Sequence, residues 1–192
     1  MSIFNFFSSK RKLRAAKNNA PQMIYGYEQD GVLLKDTRIG STTAFIGKEG
    51  LTLEDNIFIG QFLFIEATNG VHIEEGCQMA SFTAIISHSS HISIRLYGDQ
   101  YRKSKDLVGY KKGSVRIGKY SFVGPHVTIM PNTDIGKGSI IAAYSMVKGT
   151  FPDFSIISGN PATVIGDTRE LDEPYLSEHP ELRMNYENWT KK

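Results

Sequence analysis

Between Ile117 and Lys148 an aliphatic residue returns at every sixth position: Ile117, Val123, Ile129, Ile135, Ile141 and Val147. A small or turn-prone residue often follows it, as at Gly118, Gly124, Gly136 and Ala142. No single regular element has that period. A helix brings its apolar face round every 3.6 residues and a strand every 2, and the interspersed Gly, Pro and Asn break a helix. The pattern predicts a coil of very short strands that turn corners at small residues, with the aliphatic side chain pointing inward. Hexapeptide periods of this kind mark β-helices, so the fold class expected is an all-β solenoid.

The beat begins at Ile39. Seven-residue spacings from Ile39 to Ile46 and from Ile46 to Leu53 predict enlarged corners, after which Leu53, Ile59 and Ile65 keep the strict period. An insertion at Asn69-Gly70 delays the next inward residue to Ile73, and Met79 and Ile85 follow. Residues 87–114 break the pattern. They are polar, basic and rich in Tyr, and are expected to project as a loop; a long loop inside a compact repeat is uncommon and usually functional. The domain reading is an N-terminal arm over 1–36 (a helix plus a covering strand), the solenoid over 37–166, and a C-terminal helical cap over 167–192. Caps are needed because an open terminal coil exposes apolar surface and unpaired strand edges.

The 192 residues suffice for one core with attached ends. A net charge of +2 gives no bulk electrostatic pull toward nucleic acid, and no aromatic RNA-binding motif or Cys/His zinc pattern is present. Cys77 is the only cysteine, which rules out an intramolecular disulfide and fits a reducing compartment, the cytoplasm. No apolar run reaches the length of a membrane span. The N-terminus is apolar first (Ile3, Phe4, Phe6, Phe7) and basic afterwards (Lys10, Arg11, Lys12, Arg14, Lys17), the reverse of a secretory signal. It reads as a packing arm, with a weak peripheral contact at the inner face of the membrane as the alternative.

The six-residue beat, the loop opening on ISHSSH, the IAAYSMVKG coil and the GNPATVI run together resemble the hexapeptide-repeat acyltransferases. Within them the chain is most similar to the maltose/galactoside and streptogramin acetyltransferase branch and to the O-acetyltransferases of surface-polysaccharide biosynthesis. The likeness covers the stretch from Ile39 to Gly166. It implies a left-handed parallel β-helix, a homotrimer, and acetyl-CoA as co-substrate in a cleft between subunits. Parallel crossovers are normally right-handed, so the left hand comes from the resemblance alone.

Moving an acetyl group from a thioester to an alcohol needs a base for the hydroxyl proton, donors for the developing oxyanion, and a thiolate able to leave. No Ser/His/Asp or Cys/His nucleophile arrangement is evident, so direct transfer is the simpler reading. Imidazole suits the base because it titrates near neutrality. His91, six residues past Ile85 at the root of the loop, is the first candidate by position in the family, and His88 is the second; one of the two is expected only to hold the loop. His126 reads as a surface or interface residue, and His72 and His179 carry no signal.

For the acyl donor the resemblance points to Phe122, Gly124, Ala142, Ala143, Lys148, Asn160, Pro161 and Ala162. Phe122 stands where relatives often carry Trp, and the small residues also have a plain steric reading as corners. The loop residues Arg95, Tyr97, Tyr101 and Arg102, with Lys103 and Lys105, are the acceptor-side candidates, since aromatic faces stack on sugars and cations pair with phosphate or carboxylate. The acceptor expected is a sugar, nucleotide-sugar or polysaccharide in capsule or O-antigen synthesis. No metal is expected: trimeric carbonic anhydrases of this fold carry histidines around a coil like VTIMPNTDIG, and here that coil has none. The rival readings are N-acetylation of an amino-sugar nucleotide, antibiotic acetylation, and a non-catalytic trimeric module.

Overall fold

A computed structural model describes residues 20–191. The helix expected in the N-terminal arm, with its Phe and basic clusters and any membrane contact, lies outside the described residues. From Arg38 onward the chain winds as a parallel β-helix with three faces. The first face stacks the end of Val32–Gly40 on Phe58–Ile59, Gln78–Met79, Phe122–Val123, Ile140–Ile141 and Ser155–Gly159. The second stacks Ala44–Ile46, Phe64–Glu66, Ala84–Ile86 and the leading parts of Thr128–Ile135 and Met146–Phe151. The third stacks Leu51–Leu53, Val71–Ile73, Val115–Ile117 and the trailing parts of those same two strands. All these pairings are parallel, and equivalent hexad positions sit in register: Ile65 on Ile85, Ile85 on Ile129, Ile129 on Val147.

The inward residues form one continuous core, and Ile59, Ile65, Ile73, Met79, Ile85, Ile117, Ile129, Ile135, Ile141 and Val147 are fully buried. Removing such a side chain from water contributes about 1.5–3 kcal/mol each, which is the main force closing the coil. Small residues after them are required by the approach of the next coil. A Cβ on Gly124 would lie 2.8 Å from the backbone N of Ala143, and one on Gly136 2.3 Å from that of Asp153.

One expected inward position is corrected. Ile46 points outward and is 48% exposed, while Phe45 packs against the core in its place. The first coil therefore runs Ile39, Phe45, Leu53, with Phe45 in register with Ile65 and Leu53 with Ile73; the first spacing is a strict six, and the one enlarged corner is the 3-10 turn Lys48–Gly50.

The ends are closed by antiparallel strands. Met23–Gln29 pairs with Val32–Gly40, and Ala162–Asp167 folds back on Ser155–Gly159. The helices Thr168–Glu178 and Arg183–Thr190 follow, and they contact the edge between the third and first faces. There Trp189 packs on Tyr120 and Phe154 (centroids 4.9 and 5.8 Å), and Thr168 Oγ1 donates to the Gly138 carbonyl at 2.8 Å. Among the described residues no helix is long and apolar enough to cross a membrane.

Candidate active site

The loop leaves the edge between the second and third faces at Ser87 and returns at Gly113, where the Gly113 amide donates to the Ser87 carbonyl at 3.0 Å. Its root is a two-stranded antiparallel ribbon, His88–Ser89 against Lys111–Lys112, with His88 opposite Lys112. Beyond it the chain forms the short helix Ser93–Tyr97 and a 3-10 segment, Gly98–Lys103. Asn132, one coil further along the same edge, donates from Nδ2 to the Lys112 carbonyl at 3.2 Å and props the root.

Directly below His88, on the preceding coil, stands Glu66, which the sequence pattern did not single out. It ends the strand Phe64–Glu66 and is 3% exposed. Burial alone would raise its pKa. Hydrogen bonds from Thr68 and Ser87 outweigh that and hold the carboxyl at about 2. Ser87 Oγ donates to Glu66 Oε2 at 2.7 Å and the Thr68 amide to Oε1 at 3.0 Å. Glu66 is thus an anion held in place, the usual condition for a buried charge to persist.

His88 Nδ1 lies 2.8 Å from Glu66 Oε2. The oxygen sits off the direction of the ring N–H, so the contact is electrostatic rather than an aligned hydrogen bond, and among the described residues the buried Nδ1 has no other partner. Tyr110 stacks on the imidazole (centroids 5.4 Å, planes 10° apart). Burial, with Tyr101 and Glu66 nearby, pushes the Tyr110 phenol up, so it stays neutral. Nδ1 is buried against Glu66 and one face of the ring is covered by Tyr110, while the side chain as a whole remains a third exposed.

His91 differs on every count. It is exposed, its Nδ1 lies 2.7 Å from the Ser89 hydroxyl, and its carbonyl accepts from the Arg95 guanidinium. Among the described residues no carboxylate is paired with it. Cys77 is an inward corner residue whose thiol burial pushes up to about 12, which leaves it without thiolate character.

A cleft of about 710 Å³ opens between the loop and the coil below, lined by Thr68, Asn69, Tyr101, Lys105, Tyr110 and Lys112 among others. Tyr110 is the wall shared with His88. Of the expected acceptor residues Tyr101 and Lys105 line this cleft. Arg95 is spent on the His91 carbonyl, and the Tyr97 hydroxyl ties the loop by donating to the Asp106 carbonyl at 3.1 Å and accepting from the Val108 amide at 3.0 Å. Arg102 is exposed on the 3-10 segment.

The donor-side residues are spread over the solenoid, and only Gly124, Ala142 and Ala143 come together. Gly124 and Ala142 stack on the edge between the first and second faces, continuing a column of small residues from Gly60 and Ala80, with Ala143 exposed beside them. At Gly124 the next coil leaves no room for a Cβ, 2.8 Å from the Ala143 N, so this small-residue track already has a packing explanation. Beside it runs a ladder of left-handed corner residues, Phe62, Phe82, His126 and Tyr144, stacked 4.9–5.1 Å apart; His126 belongs to this ladder. Asn160 and Pro161 form the turn of the terminal hairpin, with Ala162 paired to Gly159. Phe122 faces outward from the first face and is 45% exposed. Lys148 is exposed at the far end of the second face, on the same edge as the loop. Within one chain, the width of the second face separates His88 from the small-residue track.

Residues 114–149 match the family described as bacterial transferase hexapeptide (six repeats). WbbJ of Escherichia coli (strain K12), assigned as a lipopolysaccharide biosynthesis O-acetyl transferase, is 28% identical over 130 residues, 66% of this chain and 65% of its own length. Among solved structures, a galactoside acetyltransferase in complex with coenzyme A superimposes with TM-score 0.57 at 21% identity, over 68% of this chain and 62% of that one. AntD, an N-acyltransferase of Bacillus cereus crystallised with dTDP and coenzyme A, gives TM-score 0.51 at 21% identity, over 80% and 98%. At that identity the two structures speak to the fold, which is the left-handed parallel β-helix.

Proposed function

We propose that this chain, whose residues 114–149 match the bacterial transferase hexapeptide family and which is similar to WbbJ, is an acetyl-CoA-dependent O-acetyltransferase acting on a sugar hydroxyl in bacterial surface-polysaccharide synthesis. The observation that carries the reading is the buried Glu66 carboxylate 2.8 Å from His88 Nδ1, with Tyr110 stacked on His88 and lining the loop cleft. His88 is the general base in this proposal and Glu66 its positioning residue. An anion at Nδ1 keeps the ring proton there, leaves Nε2 to take the acceptor's hydroxyl proton, and stabilises the imidazolium that results. The acceptor oxygen then bonds to the thioester carbonyl carbon, the C–S bond breaks, and the proton on Nε2 passes to the departing thiolate. His91, without a carboxylate partner, takes the role of holding the loop through Ser89 and Arg95.

The separation of His88 from the small-residue track supports a trimer. A second copy set against the apolar second face would bring its own donor track to the first copy's histidine. Gly124, Ala142, Ala143 and the Asn160–Ala162 turn would hold the pantetheine arm, with Lys148 reaching a phosphate.

The test is release of CoA thiol from acetyl-CoA with a panel of sugar acceptors, alongside light scattering for the oligomeric state. His88→Ala is expected to lose about 10²–10⁴-fold in kcat, the usual worth of a positioned base, with acetyl-CoA binding kept. His91→Ala is expected to retain most activity. The reverse ranking would overturn the assignment of the base. A wild-type protein that binds no acetyl-CoA would remove the enzyme reading in favour of a structural module. Activity on an amino-sugar with no activity on its hydroxyl analogue would transfer the proposal to N-acetylation.

A further inference from the structure

The loop cleft carries a charge pattern that acetyl transfer to a neutral sugar does not use. Residues 87–114 hold six cations (Arg95, Arg102, Lys103, Lys105, Lys111, Lys112) and two anions (Asp99, Asp106), a net +4. Residues 20–86 and 115–192 hold eleven cations against eighteen anions, a net −7. The loop is therefore a cationic island on an acidic body. Segregation of this kind opposes the mixing of signs that ordinary surfaces favour, and it concentrates anions locally.

The island has no internal partners to explain it. Among the described residues none of Arg102, Lys103, Lys105, Lys111 and Lys112 forms an ion pair with a carboxylate, whereas the solenoid's Arg116 and Lys119 are both paired. Two of the unpaired lysines, Lys105 and Lys112, line the concave side of the loop together with Tyr101 and Tyr110. Lys112 Nζ stands 5.7 Å from the centroid of the Tyr110 ring, which itself stacks on His88. Asp106 is the one carboxylate in the lining. A concave wall holding two ammonium groups against one carboxylate, beside aromatic faces and next to the base, matches an anion carried close to the reacting sugar.

We propose that the acceptor reaches His88 as a phosphate ester, its phosphate or diphosphate held by Lys105 and Lys112 and its neighbouring group stacked on Tyr101 or Tyr110. This deepens the acetyltransferase reading and rests on it for the identity of the reacting group. Lysine serves phosphate as a point charge, so it suits a flexible diphosphate better than a fixed planar carboxylate. A nucleotide carrier and a lipid carrier share this chemistry.

Calorimetric titration of inorganic pyrophosphate, uridine diphosphate and detergent-solubilised farnesyl diphosphate into the full chain tests it, with acetyl-CoA titrated in parallel. The expected result is pyrophosphate binding that weakens as salt is raised and falls about tenfold or more in Lys105→Met/Lys112→Met, as loss of charge-assisted contacts predicts. Acetyl-CoA binding stays unchanged in that variant, and Lys103→Met/Lys111→Met, which lies outside the cleft, leaves both unchanged. Tighter binding of uridine diphosphate assigns a nucleotide carrier, and tighter farnesyl diphosphate a lipid carrier. Absence of pyrophosphate binding at millimolar concentration, or equal binding by the Lys105/Lys112 variant, overturns the proposal. Parallel loss of acetyl-CoA binding also overturns it, because the lysines would then serve the donor. A wild type that binds pyrophosphate but no acetyl-CoA would instead sink the acetyltransferase reading while leaving the phosphate site standing.

Discussion

The second and third faces of the solenoid share an inward pattern and differ in what they turn outward. Inside, Ile65, Ile85, Ile129 and Val147 on one match Ile73, Ile117, Ile135 and Phe151 on the other, all buried. Outside, the third face presents Thr52, His72, Arg116, Asp134 and Thr150, laced to the next corner by Arg116–Glu74 and Arg116–Asp134 pairs at 2.8 Å and a His72–Glu54 pair at 3.2 Å. The second face presents Ala44, Ile46, Phe64, Ala84, Ile86, Thr128 and Met146, with Phe64 41% exposed. One face satisfies itself in water and the other does not. The loop and His88 stand at the border between them, which is where an occupant of the apolar face would meet the candidate base.

Four measurements would break or sharpen that contrast. The largest effect belongs to the shared interior: Ile85→Ala and Ile117→Ala should each destabilise by about 2–5 kcal/mol in urea titration. If one were near neutral, the two faces would not be equivalent inside and the comparison would lose its basis. Next, Phe64→Lys on the second face should shift the sedimentation coefficient from the proposed trimer to monomer at micromolar concentration, a loss of about 2 kcal/mol or more per contact if the residue is central. A trimer that persists would place the interface elsewhere.

Glu66 gives a pH-dependent test at the border. Its folded pKa of about 2 lies below the ordinary carboxylate value, so its contribution to stability is present above the unfolded pKa and is lost as pH falls toward 2. Wild type should therefore exceed Glu66→Gln most in urea midpoint near neutrality, and the gap should close in acid. A gap constant down to acid pH would contradict the buried anion. The smallest effect is expected from the third face, where Arg116→Met should cost no more than about 1 kcal/mol, as half-exposed ion pairs do, and should leave assembly intact.

Much of this was legible in the residues. The six-residue beat identified the solenoid, its inward rows and the break that became the loop, because inward packing repeats identically at each coil and leaves a periodic trace. The Ile46 misplacement had the same cause: a period sought in aliphatics skips Phe45. The histidine pair at the loop root was visible as well. Its ranking was not, since position within a family placed His91 first while contacts favour His88.

What the sequence determined by itself is the one-dimensional part: where each coil begins, which side chains fill the core, where the loop leaves, and that this loop concentrates positive charge. The tertiary structure alone decided which residues meet across coils. Glu66 and His88 are 22 positions apart, and no local pattern joins them. They meet because the coil brings the end of one strand beneath the start of the next coil's loop, and because Ser87 and Thr68 supply the hydrogen bonds that let a carboxylate remain ionised there. Arg95 and Tyr97 fell away from the cleft for the converse reason. Their side chains found partners within the loop, and a polar group already satisfied by its own backbone is not free to meet a ligand.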